Sequence, residues 1–345
     1  MSEQKSWSNR LLLLGRLVLL AVVGAAVVLS GKISALVEPY GLIFVLLGAA
    51  GMALTSYSTR EIKAALSHAA VIPESRAEIV KSALFWESAA RNFWILGVLY
   101  SILNFAVTLG NRLGSMDSLT SGLATSLLAA LYGLVLATVC GVPYWRLAAR
   151  LDAGQKGGNS EGEITAWRGA SGPGNFGRAA GYLVIGAALL SAFMQAAPGD
   201  VWAAVNWTVY WPSVLIVWGG ALALILSIGN VPACPSALAG FALAGLIGSL
   251  MGFIQTLLGF AAKNIEDVAS AVTFVLSSCV AALLGMILMG APLEDRSAKS
   301  YGRGGPRTVG CLASAIFPLV ALIFLIVIFI LIVTPIQLEG GGAKP

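Results

Sequence analysis

The sequence predicts an all-α polytopic membrane protein with nine transmembrane helices, arranged as two parallel four-helix repeats and one terminal helix. Three observations lead to this fold class. Of the 345 residues, 58% are hydrophobic and only 11% are charged, too few to cover the surface of a water-soluble globule. The apolar residues are gathered into stretches long enough to cross a bilayer, and four of these stretches recur in the same order.

Each predicted helix is long enough to cross a bilayer. A bilayer core about 30 Å thick requires roughly 20 apolar residues per spanning helix. Nine stretches meet this requirement, at residues 11–30, 40–57, 92–110, 121–145, 179–197, 211–229, 237–260, 269–291 and 311–334. No convincing small-residue cleavage site follows the first stretch, so we interpret it as a retained helix rather than a signal peptide.

The positions of Lys and Arg predict the orientation of these helices. With the N-terminus in the cytoplasm, 17 of the 21 basic residues fall in inner segments and 4 in outer segments, as the positive-inside rule requires. The C-terminus is then periplasmic, and we expect a multi-pass protein of the bacterial inner membrane. The net charge of +5 reflects this topology and attraction to the lipid bilayer, and no nucleic-acid partner is predicted.

An internal repeat relates the first four spans to the next four. In the third helix "GVLYSILNFAVTLG" corresponds to "GSLMGFIQTLLGFA" and pairs Asn104 with Gln255. In the fourth, "YGLVLATVCGVPYWRLA" corresponds to "AALLGMILMGAPLEDRS" and pairs Pro143 with Pro292. Because four is an even number, both copies have the same orientation, so this is a parallel repeat. The offsets from copy one to copy two are 162, 172, 151 and 149 residues for the four helices, from starts at residues 15, 40, 97 and 132.

The repeat defines the expected domain organisation. A long inner segment with helical periodicity follows the second helix of copy one, whereas copy two has only "GNVPACPS" there. The predicted parts are a first module at 1–151, a flexible Gly/Ser-rich cytoplasmic linker at 152–176, a second module at 177–296, a cytoplasmic linker at 297–310, and a terminal helix with a short periplasmic tail at 311–345.

Side chains that carry chemistry are sparse. The four cysteines offer no pair on the periplasmic side, so no disulfide framework is expected. The lone histidine, His68, is interpreted as a surface residue of the first inner segment. We recognise no metal, nucleotide or nucleophile constellation. The sequence therefore predicts neither an enzyme nor a bound cofactor.

The repeated motifs resemble those of a known family. "YGLIFVLLGAAGMALTS" and "PSVLIVWGGALALILS" are similar to the second helix of the MotA/TolQ/ExbB proton-channel family, "GLIGSLMGFIQTLLGF" to its third helix and "SGLATSLLAALYGLVLATVCGVPYWRLAARL" to its fourth. The resemblance covers residues 11–292 and implies a stator-like subunit that works with ion flow. Two departures stand out: Ala129-Ala130 and Ser278-Cys279 replace the family's usual threonine pair, and neither third helix contains its usual proline.

The terminal helix resembles the single helix of the partner subunits ExbD, TolR and MotB. In these partners a Pro-Leu-Val sequence is followed by an aspartate, and the helix leaves toward the periplasm through a Thr-Pro or a similar pair. The present chain has "FPLVALIFLIVIFILIVTP", in which Pro318 matches the proline of this motif and Ala321 occupies the position of the aspartate. A proton route requires a group that can gain and lose charge, so the resemblance implies that an ExbD/TolR/MotB-like single-span partner supplies it.

These observations leave three functional hypotheses. The first is a homo-oligomeric, ion-driven subunit working with such a partner, and the second is a non-conducting scaffold or assembly protein derived from the same family. A small-solute transporter with parallel repeats is the third, although no broken helix or buried charge indicates its midplane site. The candidate channel-lining or partner-facing residues are Thr125, Asn104, Gln255, Ser277, Ser278, Ala321 and Pro318.

Overall fold

A computed structural model describes residues 38–112, 116–154, 174–196, 211–227, 235–261, 265–290, 292, 316–328 and 330. The chain divides into two compact units, Met1–Pro39 and Tyr40–Pro345. Of the first unit only Glu38 and Pro39 are described, and the span predicted at 11–30 lies outside the described residues. The helices below form the second unit.

The described residues are helical apart from short turns, and they contain no β-strand. The helices are α1 (Pro39–Ser56), α2 (Thr59–Ala70), α3 (Arg76–Arg112), α4 (Met116–Gly154), α5 (Asn175–Ala196), α6 (Trp211–Ser227), α7 (Pro235–Ala261), α8 (Ile265–Gly285) continued by a π-helix (Met286–Gly290), and α9 (Ile316–Ile328).

Four segments of these helices are long and apolar enough to cross a membrane. Two further apolar segments, in α7 and α9, are shorter over their described residues. The segments in the first group are Pro39–Ser56, Arg76–Leu109, Gly122–Tyr144 and Ser270–Met289.

The predicted inner segment of copy one is a small helical extension of the membrane core. α2 begins with a capping box, in which Ser58 Oγ accepts from the Glu61 N–H at 3.3 Å and Glu61 Oε2 accepts from the Ser58 N–H at 2.8 Å. The Trp86 Nε1–H donates to the Ala65 carbonyl at 3.1 Å and joins α2 to α3. α3 is one continuous helix, so the span predicted at 92–110 is the C-terminal part of a helix that begins at Arg76. Charged residues end the apolar stretch without ending the helix.

The third and fourth helices of copy one pack at backbone contact. A Cβ atom added to Gly97 on α3 would lie 2.7 Å from the carbonyl oxygen of Ala129 and 2.8 Å from the Cα of Gly133 on α4. A Cβ added to Gly133 would lie 2.6 Å from the Phe93 carbonyl oxygen. Small residues permit such close approach between membrane helices, where packing replaces the hydrophobic effect as the driving force.

Copy two repeats this contact in the same register. Gly248 is the counterpart of Gly97 at the offset of 151, and it lies against Ser278, the counterpart of Ala129 at the offset of 149. A Cβ on Gly248 would lie 2.8 Å from Ser278 Oγ.

The same two offsets relate a second pair of contacts between the third and fourth helices. In copy one Ser101 Oγ donates to the Ser126 carbonyl at 2.6 Å. In copy two their counterparts at the same two offsets, Gly252 and Val275, are also in contact, because a Cβ on Gly252 would lie 2.8 Å from Val275 Cγ2. Offsets obtained from the sequence alone therefore relate two sets of interhelical contacts.

The two copies meet through α1 and α3 on one side and α5 and α8 on the other. α1 and α5 touch at Gly51 and Gly181, where a Cβ on either residue would lie within 2.8 Å of the other's carbonyl oxygen. Beside this contact a small apolar cavity is enclosed by Phe44, Gly48, Leu96, Leu99, Ile185, Ala188, Leu189, Leu284 and Ile287. The contact between copies is thus apolar and closely packed.

The terminal helix packs on copy two. The Phe317 ring lies over Gly245 of α7, where a Cβ would be 2.8 Å from Phe317 Cζ. The rings of Phe324 and Phe253 are 5.6 Å apart. One face of α9 is buried and the opposite face, which includes Leu319, is exposed.

We expect Gly97→Ala to lower the stability of the protein. Its new methyl group meets backbone atoms of α4 that cannot rotate away, and overpacking of this kind costs roughly 1–3 kcal/mol. Gly186→Ala on α5 is the matched control, because a Cβ there has no neighbour within 4 Å. The measurement is thermal unfolding of the purified protein in detergent. An equal midpoint for both variants would contradict the close approach of α3 and α4.

A buried hydroxyl cluster as candidate functional site

Three consecutive residues at the centre of α8 are completely enclosed. Ser277, Ser278 and Cys279 are all buried, although successive residues of a helix point in directions about 100° apart. α8 is therefore surrounded by protein at this level, with α6 and α7 as its neighbours in copy two and α3 as its neighbour in copy one. Hydroxyl and thiol groups here lie away from both water and lipid.

Two of the three side chains are joined to neighbouring helices. Ser213 Oγ of α6 donates to Ser277 Oγ at 2.7 Å. On the other side Ser249 Oγ of α7 donates to the Gly245 carbonyl at 2.7 Å and lies 3.1 Å from Cys279 Sγ. The Ser249 hydroxyl and the Cys279 thiol can each donate in this contact. We call Ser213, Ser249, Ser277, Ser278 and Cys279 the hydroxyl cluster.

Ser278 differs from its neighbours, because its Oγ is buried and has no hydrogen-bond partner among the described residues. The missing Cβ of Gly248 provides the space that this hydroxyl occupies. A buried polar group without a partner costs about 1–3 kcal/mol. Such an orphaned group in the interior of a membrane protein is an acceptor and donor that a further ligand, water or ion could use.

α8 also changes its helical geometry immediately beyond the cluster. Pro292 has no N–H, so it cannot bond the carbonyl of Leu288, four residues earlier. The backbone forms a π-helix over Met286–Gly290, and Tyr182 of α5 donates its hydroxyl to the Leu288 carbonyl at 3.3 Å. An interhelical hydrogen bond thus replaces the bond that the proline removes. In copy one α4 remains helical through the corresponding Pro143.

The predicted site residues of copy one lie beside a different polar contact. Thr125 and Asn104 are both half-buried, on α4 and α3 respectively. Near them Ser101 Oγ donates to the Ser126 carbonyl and accepts from the Ala130 N–H at 3.1 Å. The Ser101 hydroxyl therefore connects α3 to a carbonyl and an N–H on successive turns of α4.

The remaining predicted residues are placed differently from one another. Ser277 and Ser278 lie together in the hydroxyl cluster, whereas Gln255 is exposed on α7. Ala321 and Pro318 lie on the buried face of α9, and Ala321 belongs to the same apolar core as Leu325 and Leu283.

Sequence reasoning missed Ser101, Ser126, Ser213 and Ser249. Each is a single serine in an apolar span, which carries no periodic signal. The repeat offsets could have identified one of these contacts, because they align Ser101 and Ser126 with a pair that also meets in copy two.

The apolar parts of the described membrane helices contain hydroxyl, thiol and amide groups but no Asp, Glu, Lys, Arg or His, over residues 39–56, 93–109, 122–144, 240–256, 270–289 and 316–328. The charged residues of the longer segment Arg76–Leu109 all lie in its first half, and Arg91 is the last of them. A serine or threonine hydroxyl can donate and accept a hydrogen bond, but it does not change charge at physiological pH. These groups can orient a proton or an ion that another group delivers, and they cannot store its charge.

The fold and this site define the protein as a multi-pass α-helical membrane protein with a buried polar cluster among α6, α7 and α8. No protein-family model matches the chain, and no significant match is found among curated proteins or solved structures.

We expect Ser278→Ala to leave stability unchanged or to increase it, because it removes a buried hydroxyl without a partner. Ser277→Ala is the matched neighbour, and it should lower stability because it breaks the hydrogen bond from Ser213; such bonds between membrane helices contribute about 0.6 kcal/mol on average. Thermal unfolding in detergent measures both. A destabilised Ser278→Ala variant would mean that this hydroxyl has a partner in the folded protein.

Proposed function

We propose that the chain is a subunit of an inner-membrane, stator-like complex of the MotA/TolQ/ExbB type, in which ion flow past an acidic partner helix drives mechanical or transport work. The observation that carries the proposal is the pair formed by the third and fourth helices, present twice in equivalent register at Gly97–Ala129 and Gly248–Ser278. The motifs that resemble the family lie on these same helices.

A partner follows from the chemistry of the described spans. A proton crosses a membrane protein by reversible protonation of a group held within the bilayer, and an ionised Asp at a helix centre costs about 2.5–3.5 kcal/mol on insertion scales. The apolar parts of the described membrane segments have no such group, because the charged residues of Arg76–Leu109 end at Arg91. In this proposal a separate single-span protein of the ExbD/TolR/MotB type brings the aspartate, and the hydroxyls of Thr125, Ser277 and Ser278 border its path.

The proposed complex contains nine spans per chain, with the N-terminus in the cytoplasm and the C-terminus in the periplasm. The helical extension formed by α2 and the first turns of α3 then lies on the cytoplasmic side, where its charged residues face water. More than one copy is needed, because two modules are too few to surround a partner helix.

One observation favours a second candidate function, a non-conducting scaffold. Ala321 occupies the position of the family's aspartate and is only 1% exposed among apolar side chains. A helix that has exchanged its acid for a methyl group packs well and conducts nothing. In this alternative the protein retains the helical packing of the family and organises other membrane proteins.

The proposal predicts that the chain alone does not conduct protons. Purified protein reconstituted in liposomes with an imposed pH gradient should leave the decay rate at that of empty liposomes, because the apolar parts of the described spans contain no Asp, Glu, Lys, Arg or His. A single-span protein with a membrane aspartate, identified by its copurification from native membranes, should accelerate the decay when it is added. Rapid collapse of the gradient with the chain alone would overturn the requirement for a partner acid.

Installing the missing acid provides a second test. Under the proposed function Ala321→Asp should increase proton flux above that of the unmodified chain, because it places a titratable group where partner helices carry theirs. Leu319→Asp is the control, since Leu319 lies on the exposed face of the same helix and is 51% exposed. A folded Ala321→Asp protein without flux, or one that fails to fold while Leu319→Asp folds, would favour the scaffold.

A further inference from the structure

We infer that identical chains assemble head to tail. The exposed face of α7 in one chain contacts the exposed face of α4 in the next chain. The inference deepens the proposed function by naming the surfaces that join its copies. It rests on that proposal only for the presence of more than one copy, and it does not depend on ion conduction.

The starting point is the contact that the two copies of the repeat make within one chain. Copy one contributes Phe44 on α1 and Leu96 and Leu99 on α3 to this contact. These side chains line the small apolar cavity that Ile287 of α8 also lines. All three are buried, at 1%, 1% and 0% exposure. We call this set the donor face and the α8 surface opposite it the acceptor face.

Copy two has its own donor face, and it is open. The offset of 172 takes Phe44 to Ile216, and the offset of 151 takes Leu96 and Leu99 to Ile247 and Leu250. These counterparts are 37%, 54% and 44% exposed. Three positions that are closed in copy one are therefore uncovered in copy two.

Copy one likewise has an open acceptor face. On α8 Leu284 and Ile287 line the cavity, and Val280 and Leu283 lie one turn earlier on the same side of the helix. The offset of 149 takes Val280 and Leu283 to Leu131 and Leu134 of α4, which are 41% and 50% exposed. Their neighbour on the same side of α4 is Thr138, the counterpart of Ile287, which is also exposed. The same offset takes Leu284 to Val135, which is half-buried.

Each chain therefore has one closed contact and the two unused halves of an equivalent contact. The unused halves belong to different helices, α7 and α4, and both are exposed, so they do not meet within one chain. A contact between unlike surfaces of identical chains is heterologous, and it gives a closed ring when the rotation between copies allows closure.

An exposed apolar surface alone would also suit lipid, so the choice of a second copy depends on two further points. First, equivalent positions already form a protein contact within the chain, and membrane helices associate through packing rather than through apolarity. Second, Gln255 lies beside Ile254 on the exposed side of α7. An amide that faces hydrocarbon has no hydrogen-bond partner, whereas an interface with another chain can supply one.

The test uses a pair of cysteines at the counterparts of two residues that line the same cavity within the chain. Leu99 and Ile287 line the same cavity, so Leu250→Cys and Thr138→Cys should come together between copies. The native Cys140, Cys234, Cys279 and Cys311 are first replaced by alanine. Oxidation in native membranes should then convert most of the chain into covalent dimers and larger species, and the largest species counts the chains in a closed ring.

Three controls make the result specific. Each single-cysteine variant should stay monomeric on oxidation, and so should Thr138→Cys combined with Leu183→Cys, which is 74% exposed on α5 away from both faces. Absence of cross-linked species from the Leu250–Thr138 pair would overturn the inference. Dimers from either single variant would overturn it too, because they would show a contact between like surfaces.

A second measurement avoids replacing the native cysteines. A photo-reactive amino acid at position 250 of the otherwise unaltered chain should give a covalent dimer on illumination, and the same group at position 183 should not. No dimer from position 250 would overturn the inference. Cross-linking of a chain that gives no ion flux even with the copurified single-span partner present would remove the ion-driven function and leave the interface. Ion flux with that partner but without cross-linking would remove the interface and leave the function.

Discussion

The close contact between the third and fourth helices of each copy is the interaction on which the rest of the molecule depends. A membrane offers little hydrophobic gain for bringing two apolar helices together, so their association relies on packing and on hydrogen bonds. In copy one Gly97 and Gly133 let α3 and α4 touch at the backbone. One turn further along α3, the Ser101 hydroxyl donates a hydrogen bond to α4. The contact between copies and the site of α9 are built on these paired helices.

The fourth helix has different surroundings in the two copies. In copy two the fourth helix is α8, which is enclosed by α6, α7 and the first copy and has three polar or sulfur-bearing residues in its interior. In copy one the fourth helix is α4, whose counterpart face is exposed to the surroundings of the chain. Two helices at the same position of the predicted repeat thus differ, because one has a buried polar centre and the other has an open side.

Much of the fold could be predicted from the sequence, because apolar length and repeat offsets are both local properties. The offsets of 151 and 149 correctly relate Gly97 and Ala129 to Gly248 and Ser278. Hydropathy did not reveal that α3 extends back to Arg76, since charged residues lower hydropathy without breaking a helix.

The candidate site was less predictable for a physical reason. The hydrogen bond from Ser213 to Ser277 joins residues 64 positions apart. Its existence depends on how two separate helices are rotated against each other. Helical periodicity fixes the faces of one helix and says nothing about the rotation of its neighbour. Asn104 and Gln255 illustrate this, because the repeat aligns them while one is half-buried and the other exposed.

The position of α9 has a consequence for truncated forms of the protein. The Phe317 ring lies over Gly245 of α7, and a Cβ added to Gly245 would also meet Ala282 of α8, so the last helix closes a notch between α7 and α8. Leu325 and Ile328 of α9 are fully buried in the same apolar core. A chain cut before Phe317 would leave this notch open and remove part of that core. The last helix is therefore a structural part of copy two rather than an anchor attached to it.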